Sequence, residues 1–439
     1  MKNRIIRLGV TYNRTFYFED NGVQRRIAYE MGKAFEGALN KTLKTGNRKI
    51  HVVFVPLPRD LLGAALLSGK VDAAVAQVTV RPELETQVDF SNPTRSNVSE
   101  VVVTGPAGPK IQTADDLSRQ EVYARKNSKY YASLAALNTR LVAAGKAPVS
   151  IQVTSENLED DDLLEMVNAG LLPAMVVDDY LAALWKKVFT KITVHDTVKL
   201  RTGAHLAVAI RKNTPKLKAA LNAFLSKYGL GTAMGNTIEK RYLVSTTYVK
   251  NAASDTERKK YQAMVDLFKT YSTQYDLDFL LMAAQGYQES QLDQNAKSPV
   301  GAIGAMRVMP ATGKELNVGA ITKLEPNIHA GVKYIRFMVD KYYKDEPMTK
   351  LDKGLFTFAS YNAGPGKIRQ LRKEAAKRGL DPNVRFGNVE QIASERIGRE
   401  TVTYVSNIYK YDIAYALIAD QQARRDAARA AVKAGVKSP

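Results

Sequence analysis

Glu289 is the side chain in this 439-residue chain with the most chemical promise. It closes the apolar run "FLLMAAQGYQE" and is followed closely by Ser298-Pro299, Gly301 and Gly304. An acid at the C-terminal end of a helix meets the negative end of the helix dipole, which disfavours its ionised form. Apolar neighbours such as Leu280, Leu281, Ala284 and Tyr287 push its pKa in the same direction. A carboxylic acid kept protonated near neutral pH can protonate a leaving-group oxygen. On spacing alone, the bland reading of a surface glutamate near a helix end outweighs this one. Asp293, four residues on, reads as a turn residue.

Composition narrows what else can take part. The chain has no cysteine, so disulfides, thiolate catalysis and cysteine metal sites are excluded. Its four histidines, His51, His195, His205 and His329, show no metal-ligand spacing, so neither a metal nor another cofactor is expected. Chemistry must rest on carboxylates, hydroxyls, amides, Arg and Lys. The formal net charge of +20 favours anionic partners: nucleic acid, acidic headgroups or an acidic wall polymer. With no zinc-finger or aromatic-rich RNA-binding signature, nucleic acid is not assigned, and a merely basic surface is an equal alternative. No apolar run reaches the roughly eighteen residues of a membrane span. The start, "MKNRIIRLGV", enters strand-like sequence directly, which fits either a cytoplasmic protein or a mature form without its leader.

Strand and helix patterns alternate through the first 250 residues. "RIIRLGVTY", "IHVVFVPLP" and "VDAAVAQVTV" read as strands around the amphipathic helix "IAYEMGKAFEGALN". The pattern restarts near residue 119 and ends on the return strand "LAVAIRKN" and the helix "TPKLKAALNAFLSKYG". This predicts a parallel α/β sheet in two lobes, with chain crossings near residues 100 and 200. Beyond about residue 252 strand periodicity disappears. Ser254 and Glu257 have capping-box spacing. Tyr261, Met264, Val265, Phe268 and Tyr271 form one helical face, and Asp278 is placed to cap the next helix. The reading is multidomain: residues 1–250 as a two-lobed α/β domain (second lobe about 103–200), 251–420 as an all-α domain, and 421–439 as a tail. That tail carries five basic residues against one acid. It is a frayed helix, a solvated end, or an arm for the wall or for peripheral membrane association.

The stretch "TVRPELETQVDFSNP" at 79–93 resembles the amino-acid-binding solute-binding proteins of family three, where the pattern is T-x-T-P-E-R, four residues, then D-F-S-x-P. The resemblance implies a periplasmic-binding-protein-like fold over about 240 residues and a site for an amino acid or muropeptide. It places Thr79 and, in the second lobe, Ser128 and Asp178 at that site, Asp178 facing the ligand ammonium. The family's carboxylate-binding Arg is Leu84 here, so either Arg81 substitutes for it or free amino acids no longer bind. As alternatives, Thr79 and Ser128 are turn or cap residues, and Asp178 caps the helix after it.

The C-terminal part is similar to the soluble lytic transglycosylase family. "ES", "SPVGAIG" and "MRVMP", then "NIHAGVKYI", "SYNAGPGKI" and "GRETVTYVSNIYKY" follow in the family's order. The resemblance implies a lysozyme-like α fold acting on peptidoglycan glycan strands, located in the periplasm and attached to the outer membrane where a leader provides for it. Glu289 would protonate the oxygen between N-acetylmuramic acid and N-acetylglucosamine. It would then take the proton of the 6-hydroxyl as that oxygen attacks C1, giving a 1,6-anhydro end without water. Ser298, Arg307, Tyr361, Asn362, Glu400 and Tyr404 would bind or orient substrate. Met306 is grouped with them, although a core position suits both it and Met309. Arg307 stands where the family carries Gln, and a cation there would lower the pKa of Glu289. Gly301 and Gly304 serve backbone geometry, and His329 receives no catalytic role. Two alternatives stay open: a goose-lysozyme-like hydrolase, and a wall-binding or solute-binding protein without turnover.

Overall fold

Short apolar strands build the first half of the molecule. The computed structural model describes residues 4–11, 17–20, 23–25, 27–57, 59–106, 108–229, 232–233, 235–237, 255–397 and 399–433. The chain divides into two units, one on either side of residues 238–254. The boundary near residue 250 and Ser254 of the capping box lie outside the described residues.

In the first unit the strands are β1 (Ile5–Val10), β2 (Phe18–Asp20), β3 (Val23–Arg25), β4 (His51–Pro56), β5 (Ala73–Thr79), β6 (Val88–Phe90), β7 (Arg95–Thr104), β8 (Glu121–Arg125), β9 (Ser150–Thr154), β10 (Ala174–Asp178) and β11 (Thr193–Arg211). The main sheet runs β4-β1-β5-β11-β7-β10-β8-β9, with β6 pairing to β11. Helix α1 (Ile27–Thr42) covers one face of the first lobe, where Phe35 and Leu39 meet Leu8 and Phe54. Helix α2 (Leu62–Leu67) covers the other, where Leu62 and Leu66 meet Ala74 and Phe90. Burial on both faces is why β1 and β5 lack polar alternation.

The expected parallel sheet is corrected to a mixed one. β1 pairs in parallel with β4 and β5, but β11 is antiparallel to β5, β6 and β7, and β10 is antiparallel to β7. The chain leaves the first lobe along β7 and returns along the 19-residue β11, so the two crossing strands lie side by side in opposite directions.

The second unit is helical: α3 (Asp255–Gln274), α4 (Phe279–Ser290), α5 (Leu324–Tyr342), α6 (Lys350–Ala363), α7 (Pro365–Lys377) and α8 (Arg399–Lys433), with shorter helices at Pro310–Leu316 and Glu390–Arg396. Residues 281–287 of α4 are all buried, as befits a helix enclosed by neighbours on every side. Asp278 caps it, accepting from the backbone N–H of Leu280 at 2.8 Å. Helix α8 continues through 421–433 without a break, so the start of the basic tail is helical, and 434–439 lie outside the described residues. His329 stacks on Tyr271 at 4.2 Å and meets the Tyr275 hydroxyl at 2.8 Å, a packing role.

Between α4 and α5 the chain is held by one buried amide. Asn327 accepts from the Met306 N–H at 2.8 Å and donates to the carbonyls of Ile303 and Ile321 at 2.9 and 3.0 Å. A Cβ on Gly304 (φ +83°) would stand 2.2 Å from that amide, so the position requires glycine. Asn327→Leu strands the buried Met306 N–H and takes one of two hydrogen bonds from each of the Ile303 and Ile321 carbonyls, which Val308 and Gln294 still serve, and is expected to cost about 2 kcal/mol. Calorimetry would read this as a lowered transition for the second unit and an unchanged one for the first.

Candidate active site

Glu289 occupies the penultimate position of α4, with its carboxyl largely buried. Oε1 accepts a hydrogen bond from the Tyr404 hydroxyl of α8 at 2.5 Å. Burial raises the pKa of Glu289, while the Tyr404 hydrogen bond and the positive charge of Arg307 pull it back, and the net effect is upward. The Arg307 effect anticipated from the sequence is present and is outweighed by burial.

A second phenol braces the opposite wall. Tyr361, near the end of α6, donates to the carbonyls of Met306 and Arg307 at 3.2 and 3.3 Å, and its ring meets Tyr334 edge-on at 5.8 Å. Burial, followed by the charge of Glu289, holds the phenols of both Tyr361 and Tyr404 well above the usual tyrosine range. Both therefore remain donors over the whole useful pH span. Arg307 is in the left-handed region (φ 45°) and its buried Nε has no hydrogen-bond partner.

The remaining sequence candidates fall into three groups. Ser298 is half-buried and closes its own turn, its N–H donating to the Ala302 carbonyl at 2.8 Å and its Oγ accepting from the Ala302 N–H at 2.9 Å. Asn362 is exposed and accepts from the Thr401 hydroxyl at 2.6 Å, while Glu400 stays exposed in the first turn of α8. Met306 is corrected: its side chain is fully buried against Gly286 and Gly331, so it backs the wall and cannot touch a substrate. Met309, read as core, is 41% exposed. Gln285 escaped the sequence reading. It is fully buried one helical turn before Glu289, near the Tyr404 hydroxyl, and neither of its amide atoms makes a hydrogen bond among the described residues. Its only signal was the i−4 spacing.

In the first unit, two of the four candidates converge on an unexpected residue. The Lys129 ammonium donates to Thr79 Oγ1 at 3.0 Å and to Asp178 at 2.7 Å. Asp178 precedes a short helix, but its carboxylate makes no capping bond. Ser128 is a helix cap, accepting from the Tyr131 N–H at 3.1 Å and donating to the Arg125 carbonyl at 2.8 Å. Arg81 precedes the helical turn Pro82–Glu85, and its buried Nε lacks a hydrogen-bond partner. Leu84 packs on the first lobe's core. No group of three or more His, Asp or Glu suited to a metal ion occurs among the described residues.

Comparison with known proteins divides the chain in the same two parts. Residues 11–243, a little over half of the chain, match the bacterial extracellular solute-binding proteins, family 3. The chain belongs to that family. Residues 266–383 match the transglycosylase SLT domain, so a lytic transglycosylase domain follows the solute-binding one. A protein named membrane-bound lytic murein transglycosylase F from Desulfosudis oleivorans is 27% identical over 389 residues, covering 87% of this chain and 80% of its own. One of the same name from Pseudomonas fluorescens is 26% identical over 417 residues, covering 90% and 81%. Among solved structures, an ancestral arginine-binding protein bound to arginine aligns with 55% of this chain and 99% of its own, at 21% identity and a TM-score of 0.44.

The Tyr404 hydroxyl stabilises the ionised form of Glu289, so Tyr404→Phe is expected to raise the Glu289 pKa further. Titration of the carboxyl carbon by NMR in glutamate-labelled protein measures this directly. An unchanged or lowered value would contradict the geometry.

Proposed function

We propose that this chain cleaves the β-1,4 bond between N-acetylmuramic acid and N-acetylglucosamine in peptidoglycan, leaving a 1,6-anhydro-muramic end, with Glu289 as sole acid and base. The observation that carries the reading is the half-closed carboxyl of Glu289. Burial raises its pKa, and it accepts a hydrogen bond from a neutral phenol. Such an acid keeps its proton to higher pH than an ordinary glutamate without being locked in an ion pair.

The steps follow from that arrangement. Glu289 gives its proton to the glycosidic oxygen as the bond from C1 to that oxygen breaks, and the ionised carboxylate then receives the Tyr404 hydrogen bond in full. The 6-hydroxyl oxygen of the same sugar attacks C1 and its proton returns to Glu289. Atoms balance with no water consumed. Two-carboxylate glycosidases require a second acid roughly 5–10 Å away. The charge that acts on Glu289 is instead the cation Arg307. An internal nucleophile held close to C1 makes a second carboxylate unnecessary. Arg307, a pure donor, suits the lactyl or peptide carboxylate of the substrate. Ser298, Asn362 and Glu400 are assigned to the cleft margin.

The relatives named membrane-bound and acting on murein support a periplasmic location at the membrane surface. No described helix is long and apolar enough to cross a membrane. The solute-binding domain is assigned a sensing role toward a small wall-derived molecule.

Purified peptidoglycan digested by the wild type and by Glu289→Gln, followed by mass spectrometry, tests the reaction. Anhydromuropeptides from the wild type alone are expected, with the variant down by at least about 1,000-fold. Water-added products would make the protein a hydrolase.

The same carboxyl sets a stability signature. A carboxyl whose folded pKa is raised costs stability above that pKa, and the cost vanishes below its unfolded value. Glu289→Gln is therefore expected to raise the melting temperature at neutral and alkaline pH, and to have a shrinking effect as pH falls toward the ordinary glutamate range.

A further inference from the structure

Lys129 lies in the first unit, well away in sequence from the motifs around Glu289. It occupies the first helical position of Lys129–Ala143, behind the Ser128 cap. Its ammonium is held from two sides of the sheet crossing. Thr79 ends β5 in the first lobe, whereas Lys129 and Asp178 belong to the second. The side chains of Lys129 and Asp178 are 15% and 4% exposed, so the pair is largely withdrawn from water. The Asp178 backbone N–H donates to the Tyr130 hydroxyl at 3.2 Å, fixing the carboxylate's base. A second buried carboxyl, Glu100 on β7, also feels the Lys129 charge.

Two other side-chain links span the same lobes. The Tyr180 hydroxyl donates to Gln77 at 2.6 Å, and Arg59 meets Glu159 at 3.2 Å. Lys129 differs from these in presenting an ammonium to a hydroxyl and a buried carboxylate together. A hydroxyl plus a buried carboxylate is the donor-acceptor set that recognises a primary ammonium ion.

We propose that Thr79 and Asp178 form an ammonium-recognition site and that the chain fills it with its own Lys129, as a tethered ligand latching the two lobes. The site therefore does not take free amino acids or other primary amines while Lys129 is in place. Shortening the lysine opens it to a small primary ammonium ion. This inference is independent of the chemistry assigned to Glu289.

Breaking a buried ion pair by deleting one partner strands the other charge. Lys129→Ala in the full chain is accordingly expected to melt several degrees lower than wild type. Millimolar n-butylamine should restore most of that loss, whereas butanol and butyrate should not. Lys129→Met, which fills the space without a charge, should be insensitive to the amine. Wild type should show no shift with n-butylamine or with a panel of free L-amino acids. Two results would overturn the proposal: a wild type that melts higher with millimolar amino acids, or a folded Lys129→Ala that n-butylamine fails to restore.

If Lys129→Ala does not fold, the double variant Lys129→Met/Asp178→Asn decides. It leaves no stranded charge and should melt above either single variant, and losses that simply add would overturn the pairing.

Discussion

The hydrogen bond from Tyr404 to Glu289 ties the end of α4 to α8, and the rest of the second unit is arranged so that it can form. A carboxyl at that depth has three physical fates. Left without a donor it is hard to ionise, so it gives up a proton poorly. Paired with an arginine it ionises readily and has no proton to give near neutrality. With one phenol donor it sits between these, its charged form stabilised but not locked. The enclosed run 281–287 supplies the depth, and the positive charge of Arg307 trims the result.

The wall opposite α4 is backbone rather than side chain, which explains its unusual conformations. Gln291, Leu292, Gly301, Gly304 and Arg307 all have positive φ within seventeen residues. Such strain persists only where surroundings over-determine it. Three anchors do so here. Ser290 Oγ donates to the Ala305 carbonyl at 2.7 Å, Asn327 grips Met306 and its neighbours, and Tyr361 donates to the carbonyls of Met306 and Arg307. Tyr361 thus positions the segment that presents Arg307 instead of touching Glu289 directly. Polar side chains buried for this purpose are hard to distinguish by sequence from surface ones.

Legibility in the sequence followed the range of the forces involved. Periodicity placed β1, β4, β5 and α1 correctly because burial of one or both faces is a local pattern. Strand direction is not local: nothing within "LAVAIRKN" says that its neighbours run the other way, so the pattern alone implies a parallel sheet where the structure has a mixed one. Glu289 and Tyr404 were legible through motif order, whereas Gln285 and Asn327 were not, because an amide among apolar residues looks the same whether it bridges backbone or faces water. Met309 illustrates the reverse failure, an apolar residue whose exposure depends on where the following helix begins.

The two units use buried carboxyls in opposite ways, and the difference lies in the partner. Asp178 has its pKa pushed up to about 6 by burial, against the pull of Lys129. Its partner is a full cation on a tethered side chain, so moving the charge away leaves an uncompensated carboxylate, and the contact favours staying shut. Glu289 faces a neutral donor, so a change in its protonation alters one hydrogen bond instead of breaking an ion pair. The acid and base role proposed for Glu289 calls for the second arrangement. A group that holds two lobes together is served by the first. Ser128 and Lys129 stand side by side in the sequence, yet only the lysine reaches Asp178, because the serine is consumed in starting the helix that aims its neighbour.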